Sequence, residues 1–99
     1  AIAYIANHYS EELSAEILAS AVYLTPDYLS RLFKKSTGKS ISQYIRQYRM
    51  EKAKDALLHT QKKVIEIGIQ SGYPNYSYFC QSFREYFGSS PEKYRQEHA

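Results

Sequence analysis

Sliding the 99-residue chain along itself by 50 positions sets Glu16 on Glu66, Ile17 on Ile67, Tyr23 on Tyr73, Tyr28 on Tyr78, Phe33 on Phe83, Gly38 on Gly88, Ser40 on Ser90 and Tyr44 on Tyr94. Leu29 with Phe79 and Lys34 with Arg84 add conservative pairs to these eight identities. Self-similarity at a fixed period decides architecture before any residue-level argument, because each copy has to be one supersecondary unit. Here the repeated unit reads as short helix, tight turn, longer helix and glycine stop. That is a helix-turn-helix written twice.

The periodicity of the apolar residues agrees. Ile2, Ile5, Ala6 and Tyr9, then Ile17, Leu18 and Ala21, then Leu29, Leu32 and Phe33 recur at helical rather than alternating spacing. Ser14 before Ala15, Thr25-Pro26, Asn75 and Ser90-Pro91 supply helix starts, and Gly38, Gly72 and Gly88 supply stops. The reading is all-α, with helices near 2–9, 14–21, 26–37, 41–58, 63–71, 76–87 and 91–97. These seven make one helix-turn-helix subdomain over 1–40, a long linker helix over 41–58 and a second subdomain over 59–99. Along the linker, Ile41, Tyr44, Ile45 and Tyr48 share one side, while Met50, Ala53 and Leu57 lie roughly opposite. A helix whose stripe changes sides near residue 49 is expected to bury its first half against one unit and its second against the other, as a strut. Its span of about 27 Å is comparable to the roughly 34 Å between successive major grooves on one face of DNA.

Composition narrows the chemistry. With Cys80 the only cysteine, no internal disulfide and no cysteine-rich zinc cluster can form. His8, His59 and His98 lie in separate segments without patterned carboxylates, and no glycine-rich phosphate loop is present. No enzyme, metal or cofactor is therefore expected. No apolar run approaches the roughly 18 residues of a membrane span, so the expectation is a cytoplasmic protein without membrane contact. Met50 is the only methionine, and the missing initiator suggests a piece of a longer protein. The net charge of +3 hides an asymmetry: residues 1–16 carry Glu11, Glu12 and Glu16 with no base, whereas residues 25–40 carry Arg31, Lys34, Lys35 and Lys39 against Asp27 alone. A concentrated basic face is the footprint of a phosphate-contacting surface, although a solvated helix face would look the same.

In a helix-turn-helix that reads DNA, the second helix presents its N-terminal residues to base edges in the major groove. Facing away from Leu29, Leu32 and Phe33 are Asp27, Ser30, Arg31 and Lys34. Arg31 can bond guanine O6 and N7 together, Ser30 can donate or accept, and Asp27 can accept from cytosine N4. Lys34, Lys35 and Lys39 suit phosphates. The matching positions of the second unit are Ser77, Cys80, Gln81 and Arg84, joined by Tyr76. Gln81 suits adenine, Cys80 and Tyr76 suit a thymine methyl, and Arg84 suits a phosphate. For Cys80 a small half-buried helix residue is the competing reading. Tyr23, Tyr28, Tyr73 and Tyr78 are expected mainly to pack, with a hydroxyl-to-phosphate contact open for Tyr28 or Tyr78.

Taken together, the segment Tyr28-Leu29-Ser30-Arg31-Leu32-Phe33-Lys34-Lys35-Ser36-Thr37-Gly38 resembles the first recognition helix of the AraC/XylS family of bacterial transcription regulators. Arg49 with Ala53, Leu57 and Leu58 is similar to the family's linker helix. Ile65, Ile67, Gly72 and Tyr73, followed by Tyr78-Phe79, Phe83-Arg84, Phe87-Gly88, Pro91, Tyr94 and Arg95, resemble its C-terminal signature. The departures are Pro74 in the second turn and Gly68 where the family often has Ala, which puts the stability of that helix in question. The resemblance covers nearly the whole chain. It implies sequence-specific double-stranded DNA binding by two motifs in adjacent major grooves, regulation of transcription with RNA polymerase as a partner, and an N-terminal signal-receiving or dimerisation domain. The first recognition segment is most similar to output domains of two-component response regulators. The competing class is a helical protein-interaction domain that keeps the fold without DNA binding.

Overall fold

A computed structural model of the chain describes residues 1–98, and these form α1 (Ile2–His8), α2 (Ala15–Ala21), α3 (Pro26–Thr37), α4 (Ile41–His59), α5 (Val64–Gln70), α6 (Tyr76–Phe87) and α7 (Pro91–Glu97). Short polar side chains start α2, α3, α4, α6 and α7 by accepting amides that have no partner within the helix. Ser14 Oγ accepts from the Ile17 amide at 3.1 Å, Thr25 Oγ1 from Tyr28 at 3.3 Å, Asn75 Oδ1 from Tyr78 at 2.9 Å and Ser90 Oγ from Lys93 at 3.2 Å. At α4, Ser40 Oγ accepts from the Gln43 amide at 3.1 Å while the Ser40 amide donates back to Gln43 Oε1 at 3.0 Å, a reciprocal capping box. Gly38 and Gly88 end α3 and α6 in the left-handed region at φ 75 and 89. Their amides donate to the Lys34 and Arg84 carbonyls at 2.8 Å, a cap that a side-chain-bearing residue adopts only at a cost.

Backbone contacts divide the chain into two units, Ala1–Tyr48 and Arg49–Ala99, so the boundary falls inside α4; Ala99, the last residue of the second, lies outside the described residues. Unit one buries Ile5, Leu18, Ala19, Leu29, Phe33, Ile41 and Ile45. Unit two buries Met50, Ala53, Leu57, Val64, Ile67, Tyr73, Phe79 and Phe83. Thus Ile41 and Ile45 of α4 enter the first cluster, and Met50, Ala53 and Leu57 enter the second. Each unit is a set of four helical pieces: α1, α2, α3 and the start of α4, then the rest of α4, α5, α6 and α7. The kinship shows in the packing, since Tyr44 meets Phe33 edge-on at 5.2 Å and 86°, and Tyr94 meets Phe83 at 5.5 Å and 80°.

The single 50-residue offset holds only from the second helix of each helix-turn-helix, α3 and α6, onward. Helices α3 and α6, and the starts of α4 and α7, are related by 50 positions, but α2 and α5 run over Ala15–Ala21 and Val64–Gln70, a shift of 49. The turn hydrogen bonds follow the smaller shift. Tyr23 and Leu24 amides donate to the Ser20 and Ala19 carbonyls, as Gly72 and Tyr73 amides do to Ile69 and Gly68. Structurally, therefore, Leu18 matches Ile67, Tyr23 matches Gly72 and Leu24 matches Tyr73. The identities at Glu16/Glu66, Ile17/Ile67 and Tyr23/Tyr73 do not mark equivalent places, and Pro74 is an extra residue ahead of the Asn75 cap.

Other expectations are corrected by packing. Gly68 is buried, and a Cβ there would lie 2.8 Å from Phe79 Cδ2, so glycine is what lets the α6 ring settle on α5. Unit one has Ala19 and the smaller Leu29 at these two places. Of the tyrosines expected to pack, Tyr73 is 7% exposed, but Tyr23 is 95%, Tyr28 46% and Tyr78 61% exposed. Leu32, read as core, is also exposed and lines a groove with Ala1, Ile2, Ala3 and Ser36.

Candidate nucleic-acid interface

The outer faces of α3 and α6 exist because their inner faces are fixed. Leu29 and Phe33 anchor α3 and Phe79, Ser82 and Phe83 anchor α6, and at 3.6 residues per turn the opposite face of each helix is left to solvent. On α3, Asp27, Ser30, Arg31, Lys34 and Lys35 are all exposed. Arg31 and Lys34, with Ser30, Ser40 and Ser42, line a cleft of about 360 Å³ beside the start of α4. Lys39 is half-buried, and its ammonium donates to Gln47 Oε1 on α4, so the sequence-expected phosphate ligand is already tethered. Lys34 and Lys35 lie in the last turn of α3, where the helix dipole favours cations.

On α6, Tyr76, Ser77, Gln81 and Arg84 are exposed and Cys80 is half-buried. These residues are more tied to their surroundings than their counterparts. The Tyr76 hydroxyl donates to Glu92 Oε1 on α7 at 3.4 Å. A hydrogen bond with Cys80, helped by partial desolvation and by the charges of Cys80 and Glu92, pushes its pKa up to about 12. The phenol is therefore a donor at any physiological pH. Gln81 Nε2 donates to Glu85 Oε1 at 3.3 Å, which uses one of its two amide protons and leaves the other proton and the carbonyl oxygen. Glu85 also sets a negative charge next to Arg84, so the outer face of α6 is much less basic than that of α3.

Two arginines outside this face matter to it indirectly. Arg49 lies 5.9 Å from the centroid of the Tyr73 ring; burial lowers its pKa while Tyr73 and Tyr78 oppose that. Arg95 is the support that the sequence reading did not assign. Its Nε donates to the Leu57 carbonyl at 3.1 Å, Nη1 to Lys62 at 2.8 Å and Nη2 to Thr60 at 3.4 Å. It thereby closes the C-terminus of α4 and the loop that follows. The partners lie more than thirty positions away, and no local pattern announces them.

Two helix-turn-helix units, each with the second helix anchored by apolar residues and its opposite face open and polar, define a tandem helix-turn-helix domain of the DNA-reading kind. The comparisons then give the family. The model of a "Helix-turn-helix domain" family matches residues 18–97, and the chain belongs to this family, the AraC-type DNA-binding domains of transcription regulators. It is 38% identical over 97 residues to regulatory protein PocR of Salmonella typhimurium, covering 98% of this chain and 32% of that protein. The C-terminal domain of the two-component response regulator yesN of Fusobacterium nucleatum is 36% identical, with a TM-score of 0.88 over 93% of this chain and 90% of that one. The DNA-binding domain of AdpA, solved with a target DNA, is 27% identical, with a TM-score of 0.92 over 98% of this chain and 87% of that one. The chain spans about a third of the length of curated relatives such as PocR. Among the described residues, no helix is long and apolar enough to cross a membrane.

Proposed function

We propose that this domain reads double-stranded DNA through Asp27, Ser30 and Arg31 of α3 and Tyr76, Ser77, Cys80 and Gln81 of α6, each helix in a major groove. Lys34, Lys35, Lys39 and Arg84 neutralise the flanking phosphates. The observation that carries this reading is the arrangement on α3, where exposed base-reading side chains in the first two turns are followed by paired lysines in the last. A phosphate-anchored, base-probing helix needs that order. In the longer protein, the domain serves as the output of a cytoplasmic transcription regulator. An N-terminal signal-receiving domain controls its access to DNA, and RNA polymerase is the partner that reads the result.

The test is a fluorescence-anisotropy titration of labelled duplex at several salt concentrations. The expected result is saturable binding whose logarithm falls linearly with the logarithm of salt. Absence of duplex binding at low salt would overturn the proposal.

A further inference from the structure

Tyr23 is the one residue among the described side-chain-bearing positions held at positive φ, at 59°. For a bulky L-residue, the left-handed region costs about 1 kcal/mol or more. Nothing within the fold repays that cost through its side chain. The ring is 95% exposed, and no hydrogen bond or ring contact to the described residues involves it. Its structural counterpart Gly72 makes the same turn at φ 97 with no side chain at all, so the turn needs the backbone conformation and not the phenol. The side chain is carried at a place that matters, two residues before the Thr25 cap of α3 and four before Asp27, at the end of the helix that meets DNA.

We infer that Tyr23 is a further DNA-contacting residue, whose phenol hydroxyl donates a hydrogen bond to a backbone phosphate beside the groove occupied by α3. This rests on the proposed reading of duplex DNA by α3. A tyrosine side chain extends about as far as a lysine but is stiffer, so it fixes register with little entropy loss, and as a neutral donor it releases no counterion. Such a contact positions the protein without reading sequence. It explains why a strained tyrosine stands in the turn before α3 while the turn before α6, whose outer face is less basic, closes on glycine.

The experiment compares the 99-residue wild-type chain with Tyr23→Gly and Tyr23→Phe. Thermal unfolding and affinity for a selected duplex and a scrambled one are measured across a salt series. Tyr23→Gly should raise the melting temperature, because strain is relieved. It should also weaken binding to both duplexes by about three- to tenfold, the worth of one hydrogen bond, with an unchanged salt slope. Tyr23→Phe should lose affinity to the same degree without the gain in melting temperature. Undiminished affinity in either variant, or a loss confined to the selected duplex, would overturn the contact. A wild-type chain that binds neither duplex would instead overturn the reading on which it rests.

Discussion

Unit one closes its helix-turn-helix on Tyr23, an L-residue held at φ 59, whereas unit two closes on Gly72 at φ 97 and then inserts Pro74 before the next cap. The cores differ in a matched way. Unit one buries Ala19 and Leu29 at the two matching positions, while in unit two Gly68 makes room for the larger Phe79. Behind them, Ile45 is buried where the second copy has Arg95, which binds three carbonyls of α4 and its following loop. Two copies of one design have thus exchanged volume between neighbours and replaced an apolar contact with a charged cap while keeping their helices. Their outer faces have diverged further, toward an open basic surface on α3 and a weakly charged, internally bonded one on α6. The backbone plan tolerates little change, and the outer faces of α3 and α6 tolerate much.

The largest effect expected from breaking this comparison is at Arg95. Arg95→Ala removes charge-assisted bonds to three carbonyls and should destabilise the chain by about 2–3 kcal/mol. Arg95→Lys should recover only a minor part, because a single ammonium cannot span the three acceptors. Urea unfolding measures both. Equal stability of wild type and Arg95→Ala would show that water replaces the guanidinium without loss.

A sharper test exchanges the matched pair. Gly68→Ala gains helix propensity but drives a methyl to within 2.8 Å of the Phe79 ring, for a net loss of about 1–2 kcal/mol. Adding Phe79→Leu recreates the pair found in unit one and should restore part of that loss, although Phe79→Leu alone destabilises. Additive losses in the double variant, read from the same unfolding curves, would show that the two positions are not coupled.

The helices were legible in the sequence because their signals are local. Thr25-Pro26, Asn75, Ser90-Pro91, Gly38 and Gly88 each fix an end through atoms within four residues. The open positions on α3 and α6 were legible for a similar reason, since helical period alone separates them from Leu29, Phe33, Phe79 and Phe83. What escaped depends on distance or on backbone conformation. The one-residue insertion at Pro74 was masked by chance identities at Glu16/Glu66, Ile17/Ile67 and Tyr23/Tyr73. The meeting of Gly68 with Phe79 and the capping by Arg95 are contacts between elements, and no residue type announces them. Tyr28, Tyr78 and Leu32 fall at the edges of their apolar stripes, where period does not decide between core and surface.

Between the two outer faces, the expected difference is electrostatic. Neutralising Lys34 and Lys35 to Gln should flatten the salt dependence by about two units of slope, and Arg84→Gln by about one or less. Titrations over a salt series would reveal this. Equal slopes in all three proteins would mean that none of these cations meets a phosphate.

The central claim is that α3 reads base edges through Arg31, and selection of bound duplexes from a random pool tests it most directly. Wild type should enrich a defined sequence. Arg31→Ala should lose preference at a single base pair of that sequence, at a cost of about 1–3 kcal/mol for the preferred duplex, and keep the rest. Arg31 also lines the cleft with Lys34, Ser40 and Ser42, so the contrary outcome is concrete. If Arg31→Ala weakens binding to every sequence alike and leaves the selected preference intact, Arg31 holds a phosphate and the account of how α3 reads DNA is wrong.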